Sequence, residues 1–130
     1  MIGSFFYQVL DVNDETPSFS HSYKGTIQEN SAPGTQVQLK PANIHAVDND
    51  AGNNSIVHYT LSGEGSDYFT VLDSGSVIYT PKSEQQILDR EAKAKFDLTV
   101  TATDTGNLSS TTALVIELGA YFIAFSSKLK

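Results

Sequence analysis

A strict alternation of side chains over residues 96–104 constrains the fold more than any other feature of the sequence. Residues at every second position, starting at Phe96, are Phe, Leu, Val, Ala and Asp, and the residues between them are Asp and three Thr. A period of two places these sets on opposite faces of a β-strand. The pattern predicts a strand with one buried face and one face in water.

Shorter stretches of similar character occur along the whole chain. The predicted strands lie at residues 5–10, 23–29, 37–48 with an interruption at 40–43, 56–61, 68–71, 76–79 and 109–118. Turn residues separate them, as in Asn30–Gly34 and Thr105–Asn107. Residues 81–88 are a polar connection that could include one helical turn. About seven short strands without a convincing amphipathic helix indicate an all-β fold, a β-sandwich.

The composition excludes several classes of protein. The 130 residues carry a net charge of −7, which argues against nucleic acid as a partner because such proteins need clustered Lys and Arg. Cys is absent, so neither a disulfide framework nor a thiolate metal site can form.

The acidic residues are concentrated in small groups. Eight of the fifteen fall in such groups: Asp11, Asp14, Glu29, Asp48, Asp50, Asp89, Glu91 and Asp104. Local acidity of this kind favours binding of a hard cation over general solubility. Paired carboxylates can also hydrolyse glycosides, but these acids lie in oxygen-rich loops, no apolar pocket is evident and no Gly-x-Ser-x-Gly occurs. We therefore do not expect an enzyme.

Residues 11–19, Asp-Val-Asn-Asp-Glu-Thr-Pro-Ser-Phe, concentrate oxygen ligands directly before a new core. Their three carboxylates repel one another unless a cation joins them. Pro17 favours an extended backbone, and Phe19 is predicted to be the first core residue. The stretch is interpreted as a hinge between two domains that a metal ion could stiffen.

The acidic groups sort to two ends of the predicted sandwich. Successive turns alternate between the ends, so the loop after Ala46 and the end of the 96–104 strand can share the end where the hinge joins. The turns at Glu29 and at 89–91 then share the opposite end. Calcium takes six to eight oxygen ligands at flexible geometry, which suits this mixture. Zinc and copper prefer His or Cys, and the three His share no ligand-like spacing.

Five motifs in order along residues 9–118 resemble the extracellular cadherin repeat. They are Asp-x-Asn-Asp-x-x-Pro-x-Phe at 11–19, Glu29-Asn30, Asp-x-Asp-x-Gly-x-Asn at 48–54 followed by Tyr59, Leu-Asp-Arg-Glu at 88–91, and Ala-x-Asp-x-Gly at 102–106. Each motif alone is weak, whereas five in order are strong. The resemblance implies a seven-strand Greek-key, immunoglobulin-like sandwich.

The resemblance also implies calcium ligands. Within this chain, one site would use the side chains of Asn13, Asp48, Asp50 and Asp104 and the carbonyls of Glu15 and Asn54. Two further ions would be bound with help from Asp11, Asp14 and Asp50, together with a preceding repeat. The linker to a following repeat would be served by Glu29, Asp89 and Glu91.

The implied function is to rigidify the extracellular part of a membrane-anchored, cadherin-like protein for calcium-dependent cell–cell adhesion. Adjacent repeats and a homophilic or heterophilic cadherin-like protein are the implied partners. Residues 1–14 are assigned to the end of a preceding repeat and its linker, 15–118 to the repeat, and 119–130 to a tail without linker character. We expect an internal or membrane-proximal repeat in a truncated fragment, whose hinge is only partly metallated in isolation.

Three departures from the family pattern are present. Glu15 stands where the family usually has Asn, and 40–43 and 83–87 resemble insertions. The insertions support an alternative function, a ligand-recognition module of a receptor ectodomain in which calcium is purely structural. Two sequences match the N-glycosylation sequon, at Asn53 inside the acidic loop and at Asn107; the second is the more plausible acceptor in a secreted protein.

Overall fold

The computed structural model describes residues 16–47 and 57–120 of the chain. The predicted strand at 5–10, most of the hinge and most of the 48–56 loop lie outside these residues. The described strands are β1 (Ser18–Phe19), β2 (Tyr23–Gln28), β3 (Gln38–Lys40), β4 (Ala46–Val47), β5 (Val57–Ser62), β6 (Phe69–Val71), β7 (Val77–Tyr79), β8 (Lys95–Asp104) and β9 (Ser109–Gly119).

The described strands form one large sheet and two small pairs. The large sheet has the order β3-β2-β9-β8-β5, and the pairs are β1 with β4 and β6 with β7. Only β2 and β9 run parallel in these sheets; the other pairs are antiparallel. An isolated β-bridge between Gln36 and Ile78 connects the segment before β3 with strand β7. The result is the all-β sandwich that the strand pattern predicts.

The described residues form nine strands where about seven are predicted, for two reasons. β1 lies outside every predicted strand, and the predicted 37–48 run is divided into β3 and β4 by the bends at 41–43. The predicted pair around 73–75 is confirmed as β6 and β7, and the 109–118 strand is confirmed as β9.

The alternation of β8 is confirmed residue by residue. Phe96, Leu98, Val100, Ala102 and Asp104 are all buried, whereas the residues between them are exposed or half-buried. Phe96 packs edge-to-face against Phe69 of β6 with ring centroids 5.2 Å apart. Aromatic pairs in this arrangement add to the burial energy of the rings. The contact joins the large sheet to the small pair that covers it.

The 81–88 connection forms bends and a turn and contains no helical turn; the one short helix among the described residues is a 3₁₀ turn at Ser66–Tyr68. Polar contacts hold the connection instead. Gln86 donates from its amide nitrogen to an Asp67 carboxylate oxygen at 2.6 Å and accepts a hydrogen bond from the Lys82 backbone N–H at 2.6 Å. The Tyr79 hydroxyl donates to the Gln86 carbonyl oxygen. Burial, with a smaller contribution from Tyr68, raises the pKa of Tyr79, which keeps this hydroxyl protonated as a donor.

A close approach at Gly75 fixes the turn between β6 and β7 against the segment directly before β4. Gly75 has a φ of +91°, and an added Cβ would lie 2.1 Å from the carbonyl oxygen of Ile44. The Ile44 N–H also donates to the Gly75 carbonyl at 3.0 Å. Only glycine fits this conformation and this space.

Replacing Gly75 with Ala should therefore lower the free energy of unfolding by roughly 2–5 kcal/mol, the sum of backbone strain and overpacking. Gly34→Ala is the matched control, since Gly34 has a φ of +94° but no atom within 4 Å of an added Cβ. It should cost only the backbone strain, about 1–2 kcal/mol. Urea denaturation of both variants measures the difference, and equal losses would contradict the steric account.

Candidate functional site

Four of the eleven predicted metal ligands lie in the described part of the chain. These are Glu29, Asp89, Glu91 and Asp104. The other seven, Asp11, Asn13, Asp14, Glu15, Asp48, Asp50 and Asn54, lie outside it, so their roles stay predictions. Within the described residues, no group of three or more His, Cys, Asp or Glu is placed to hold a metal ion.

Asp104 is a buried carboxylate at the last position of β8. The residue is only 3% exposed, and its Oδ1 accepts hydrogen bonds from the backbone N–H groups of Gly106 at 2.9 Å and Leu108 at 3.0 Å. Backbone bonds reinforce this turn, because the Asp104 N–H donates to the Leu108 carbonyl and the Asn107 N–H donates to the Asp104 carbonyl, both at 3.0 Å. The carboxylate is thus held in one orientation.

Both oxygen-rich segments join the fold at the end where Asp104 lies. Val57, the first described residue after the 48–56 loop, pairs with Asp104 itself. Val47, the last residue before that loop, pairs with Ser18, directly after the hinge proline. We call this the hinge end of the domain.

Side chains of β9 attach the segment after the hinge to the large sheet. The Ser110 hydroxyl donates to the carbonyl oxygen of Pro17 at 2.6 Å, and the Thr112 hydroxyl donates to the carbonyl oxygen of His21 at 2.7 Å. The sequence analysis missed both residues. No local signal marks them, because each hydroxyl and its acceptor are more than 90 positions apart.

The other three predicted ligands in the described residues lie at the opposite end of β9. An oxygen of the Glu29 carboxylate accepts the Arg90 backbone N–H at 3.1 Å, and Asp89 Oδ1 accepts the Glu91 N–H at 3.0 Å. The Asn30 N–H donates to the Leu88 carbonyl at 2.8 Å, and Leu88 is buried in the core. The 88–91 motif is thus anchored beside Glu29, as the order of turns predicts.

Arg90 has a structural role that its sequence context does not reveal. Its Nε donates to the carbonyl oxygen of Leu118 at 3.1 Å, so the guanidinium binds the last part of β9. The Glu29 N–H also donates to the Gly119 carbonyl at 3.0 Å. β9 has eleven residues, so the hinge end and the Glu29 end lie about 33 Å apart at the usual rise of a strand.

Comparison with known proteins agrees with this architecture. Residues 23–118, from the first residue of β2 to the end of the large sheet, match the Cadherin domain family. The chain belongs to the cadherin domain family. Cadherin domains are extracellular parts of membrane cadherins and generally bind calcium.

Individual relatives are similar over most of this cadherin repeat. Human cadherin-related family member 2 is 42% identical over 110 residues, which are 83% of this chain and 8% of the relative. Human cadherin-5 is 36% identical over 116 residues, 87% of this chain and 14% of the relative. The chain therefore spans only a small part of the length of these curated relatives.

Solved cadherin structures have the same fold. The crystal structure of mouse cadherin-23 EC22-24 superposes with a TM-score of 0.70 at 36% sequence identity, covering 85% of this chain and 33% of that one. Among the described residues of this repeat, no helix has the length and apolar character needed to cross a membrane.

The two hydrogen bonds at Asp104 Oδ1 predict a structural role that can be separated from any metal. Asp104→Ala removes the acceptor for two backbone N–H groups in a buried site, and we expect it to lower the free energy of unfolding by roughly 2–4 kcal/mol. Asp104→Asn keeps a carbonyl oxygen at this position and should cost less. Denaturation in excess chelator measures both, and an Asp104→Ala variant as stable as the parent would contradict the role.

Proposed function

We propose that this chain is a calcium-binding extracellular repeat that rigidifies a cadherin-like ectodomain for calcium-dependent cell–cell adhesion. The observation that carries the proposal is the buried Asp104 carboxylate, at the end of the domain where the hinge and the 48–56 loop both join the fold. A buried carboxylate is unfavourable unless it is hydrogen-bonded and paired with positive charge. A cation shared with two acidic segments meets that requirement.

The chemistry of the donor set fits calcium. The proposed site in this chain combines the side chains of Asn13, Asp48, Asp50 and Asp104 with the carbonyl oxygens of Glu15 and Asn54. All are hard oxygen donors, and some are uncharged, which is the mixture that calcium accepts.

The remaining ligands would connect neighbouring repeats. At the hinge end, Asp11, Asp14 and Asp50 would contribute to two further ions shared with a preceding repeat. At the Glu29 end, Glu29, Asp89 and Glu91 would serve a following repeat. On this proposal residues 1–14 end the preceding repeat, 15–118 form the repeat, and 119–130 are a tail.

The carboxylates of the hinge and loop control the angle between repeats. Unscreened, they repel one another and the hinge bends; bound calcium supplies the positive charge that offsets this repulsion. The hydroxyls of Ser110 and Thr112 hold the end of the hinge and the residues after it against β9. A stiffened hinge is therefore attached to the large sheet. Adjacent repeats are the immediate partners, and a homophilic or heterophilic cadherin-like protein is the adhesive one.

Calcium should raise the melting temperature of the isolated chain. Extracellular calcium modules bind at about 10⁻⁴–10⁻³ M, so one site at about 1 mM calcium would contribute roughly 0.4–1.4 kcal/mol, or about 2–8 °C. Asp48→Ala should remove this increase and leave stability in chelator unchanged, because the only role proposed for Asp48 is that of a calcium ligand. Thermal melts with calcium and with chelator, supported by calorimetry, make the measurement.

Asp97→Asn is the matched control for the loss of one negative charge. Asp97 lies on the exposed face of β8, with an Oδ1 3.9 Å from the ammonium of Lys95. Its variant should keep the full calcium response. A parent chain with the same melting temperature in calcium and chelator, and no heat of binding, would refute the proposed site.

One observation favours the ligand-recognition alternative. The 81–88 connection forms a wall of a cleft of about 500 Å³, whose lining includes Pro33, Tyr79, Pro81 and Ile87, and Ile87 is 57% exposed. Calcium-dependent self-association in analytical ultracentrifugation would favour adhesion. A monomer that binds an unrelated protein, and loses that binding on Ile87→Ser but not on Leu72→Ser, would favour recognition, because Leu72 is an exposed apolar residue that does not line this cleft.

A further inference from the structure

The turn between β8 and β9 carries a glycosylation sequon, Asn107-Leu108-Ser109, that the calcium proposal does not use. Asn107 is exposed and has a φ of +69°. Asn is one of the few residues that adopt this left-handed conformation readily. The turn therefore places an asparagine, the only amino acid that accepts an N-linked glycan, at a protruding position.

The bonds that hold Asp104 also fix the position of Asn107. Asp104 Oδ1 binds the N–H groups of Gly106 and Leu108, which are the two residues flanking Asn107. The carboxylate is buried inside the turn and the asparagine is exposed on it. A large group on Asn107 can therefore be accommodated without displacing the carboxylate.

Both side chains that define the sequon are accessible in the folded domain. Ser109, the first residue of β9, is exposed, and it pairs with Thr103 on the outer face of the large sheet. Among the described residues, neither the Asn107 side chain nor the Ser109 hydroxyl has a hydrogen-bond partner. Modification of Asn107 therefore breaks no contact within the described fold.

The second sequon, Asn53-Asn54-Ser55, is chemically less suitable. It lies in the acidic loop, and its middle residue, Asn54, is a proposed calcium ligand. A glycan on Asn53 would crowd the ligands of the hinge end. A glycan on Asn107 is therefore compatible with the proposed metal site, whereas a glycan on Asn53 is not.

We infer that Asn107 carries an N-linked glycan, an inference that rests on the proposed extracellular location. In the reaction, the amide nitrogen of Asn107 forms a bond to the anomeric carbon of a polyprenyl-diphosphate-linked oligosaccharide. The bond from that carbon to the diphosphate oxygen breaks, the diphosphate leaves with the electron pair, and the amide loses one proton to the transferase.

The glycan has a consequence for partner binding. The outer face of β5, β8 and β9 carries a row of hydroxyls in register, Thr60, Thr101 and Thr111. Asn107 attaches its glycan at the hinge end of this face and shields it there. An adhesive partner would then contact the repeat elsewhere.

The test is secretion of the 130-residue chain from eukaryotic cells behind a heterologous signal sequence. We expect a gel-mobility shift that peptide N-glycosidase removes, and a glycopeptide that maps to Asn107. Ser109→Ala should abolish the shift while keeping Asn107 and its backbone conformation. Ser109→Thr, which preserves the sequon, and Ser55→Ala, which destroys only the other one, should both keep it.

An unmodified secreted chain, or a shift lost only in Ser55→Ala, would overturn the inference. Glycopeptide mapping of the unsubstituted 130-residue chain decides the question even if a variant is not secreted. Calcium melts of the deglycosylated protein test the proposed function separately. A glycan on Asn107 with no calcium response would support this inference and refute the calcium site. A calcium response without a glycan on Asn107 would support the calcium site and refute this inference.

Discussion

The structure depends on the position of β8 inside the large sheet. β9 pairs with residues 95–103 of β8 and β5 pairs with residues 99–104, so the second half of β8 has a neighbouring strand on both sides. Its inner face contributes five consecutive alternate residues to the interior. A strand fixed in this way cannot shift by one residue without exposing its whole apolar set. The register of β8 therefore also determines where its last residue, Asp104, is placed.

The burial of Asp104 links the fold to the function that we propose. The same period of two that buries Phe96 and Val100 also buries a carboxylate. Two backbone N–H groups of the turn donate hydrogen bonds to one oxygen of that carboxylate. The carboxylate therefore shapes the turn between β8 and β9 in addition to occupying the buried end of β8.

Strand β9 makes hydrogen bonds at both acidic ends of the domain. β9 spans the domain from the hinge end to the Glu29 end, and its hydroxyls bind the chain directly after the hinge. At its other end, carbonyls of Leu118 and Gly119 accept hydrogen bonds from Arg90 and Glu29. One strand therefore holds chain segments at both acidic ends of the domain.

Much of the fold could be predicted from the sequence because the patterns that indicate it are local. The alternation in β8, the turn residues around 73–75 and the acidic motifs each need only neighbouring residues to be recognised. The order of the motifs was enough to predict that Glu29 and 88–91 would meet, since turns alternate between the ends of a sandwich. The interruption that divides the 37–48 run into β3 and β4 was visible in the sequence, as Pro41 indicates, whereas β1 was not predicted.

Other properties were decided only by tertiary structure, because they depend on pairs of residues far apart in sequence. The Ser110 hydroxyl can donate to the Pro17 carbonyl oxygen only when β9 lies beside the hinge segment. The Arg90 guanidinium can donate to the Leu118 carbonyl oxygen only when the sheet has formed. The requirement for glycine at position 75 comes from the Ile44 carbonyl, which lies over it. The sequence by itself determined the strand pattern and the chemistry of the acids. Tertiary packing decided which backbone groups hold Asp104, which side chains support the hinge and how Asn107 is presented at the surface.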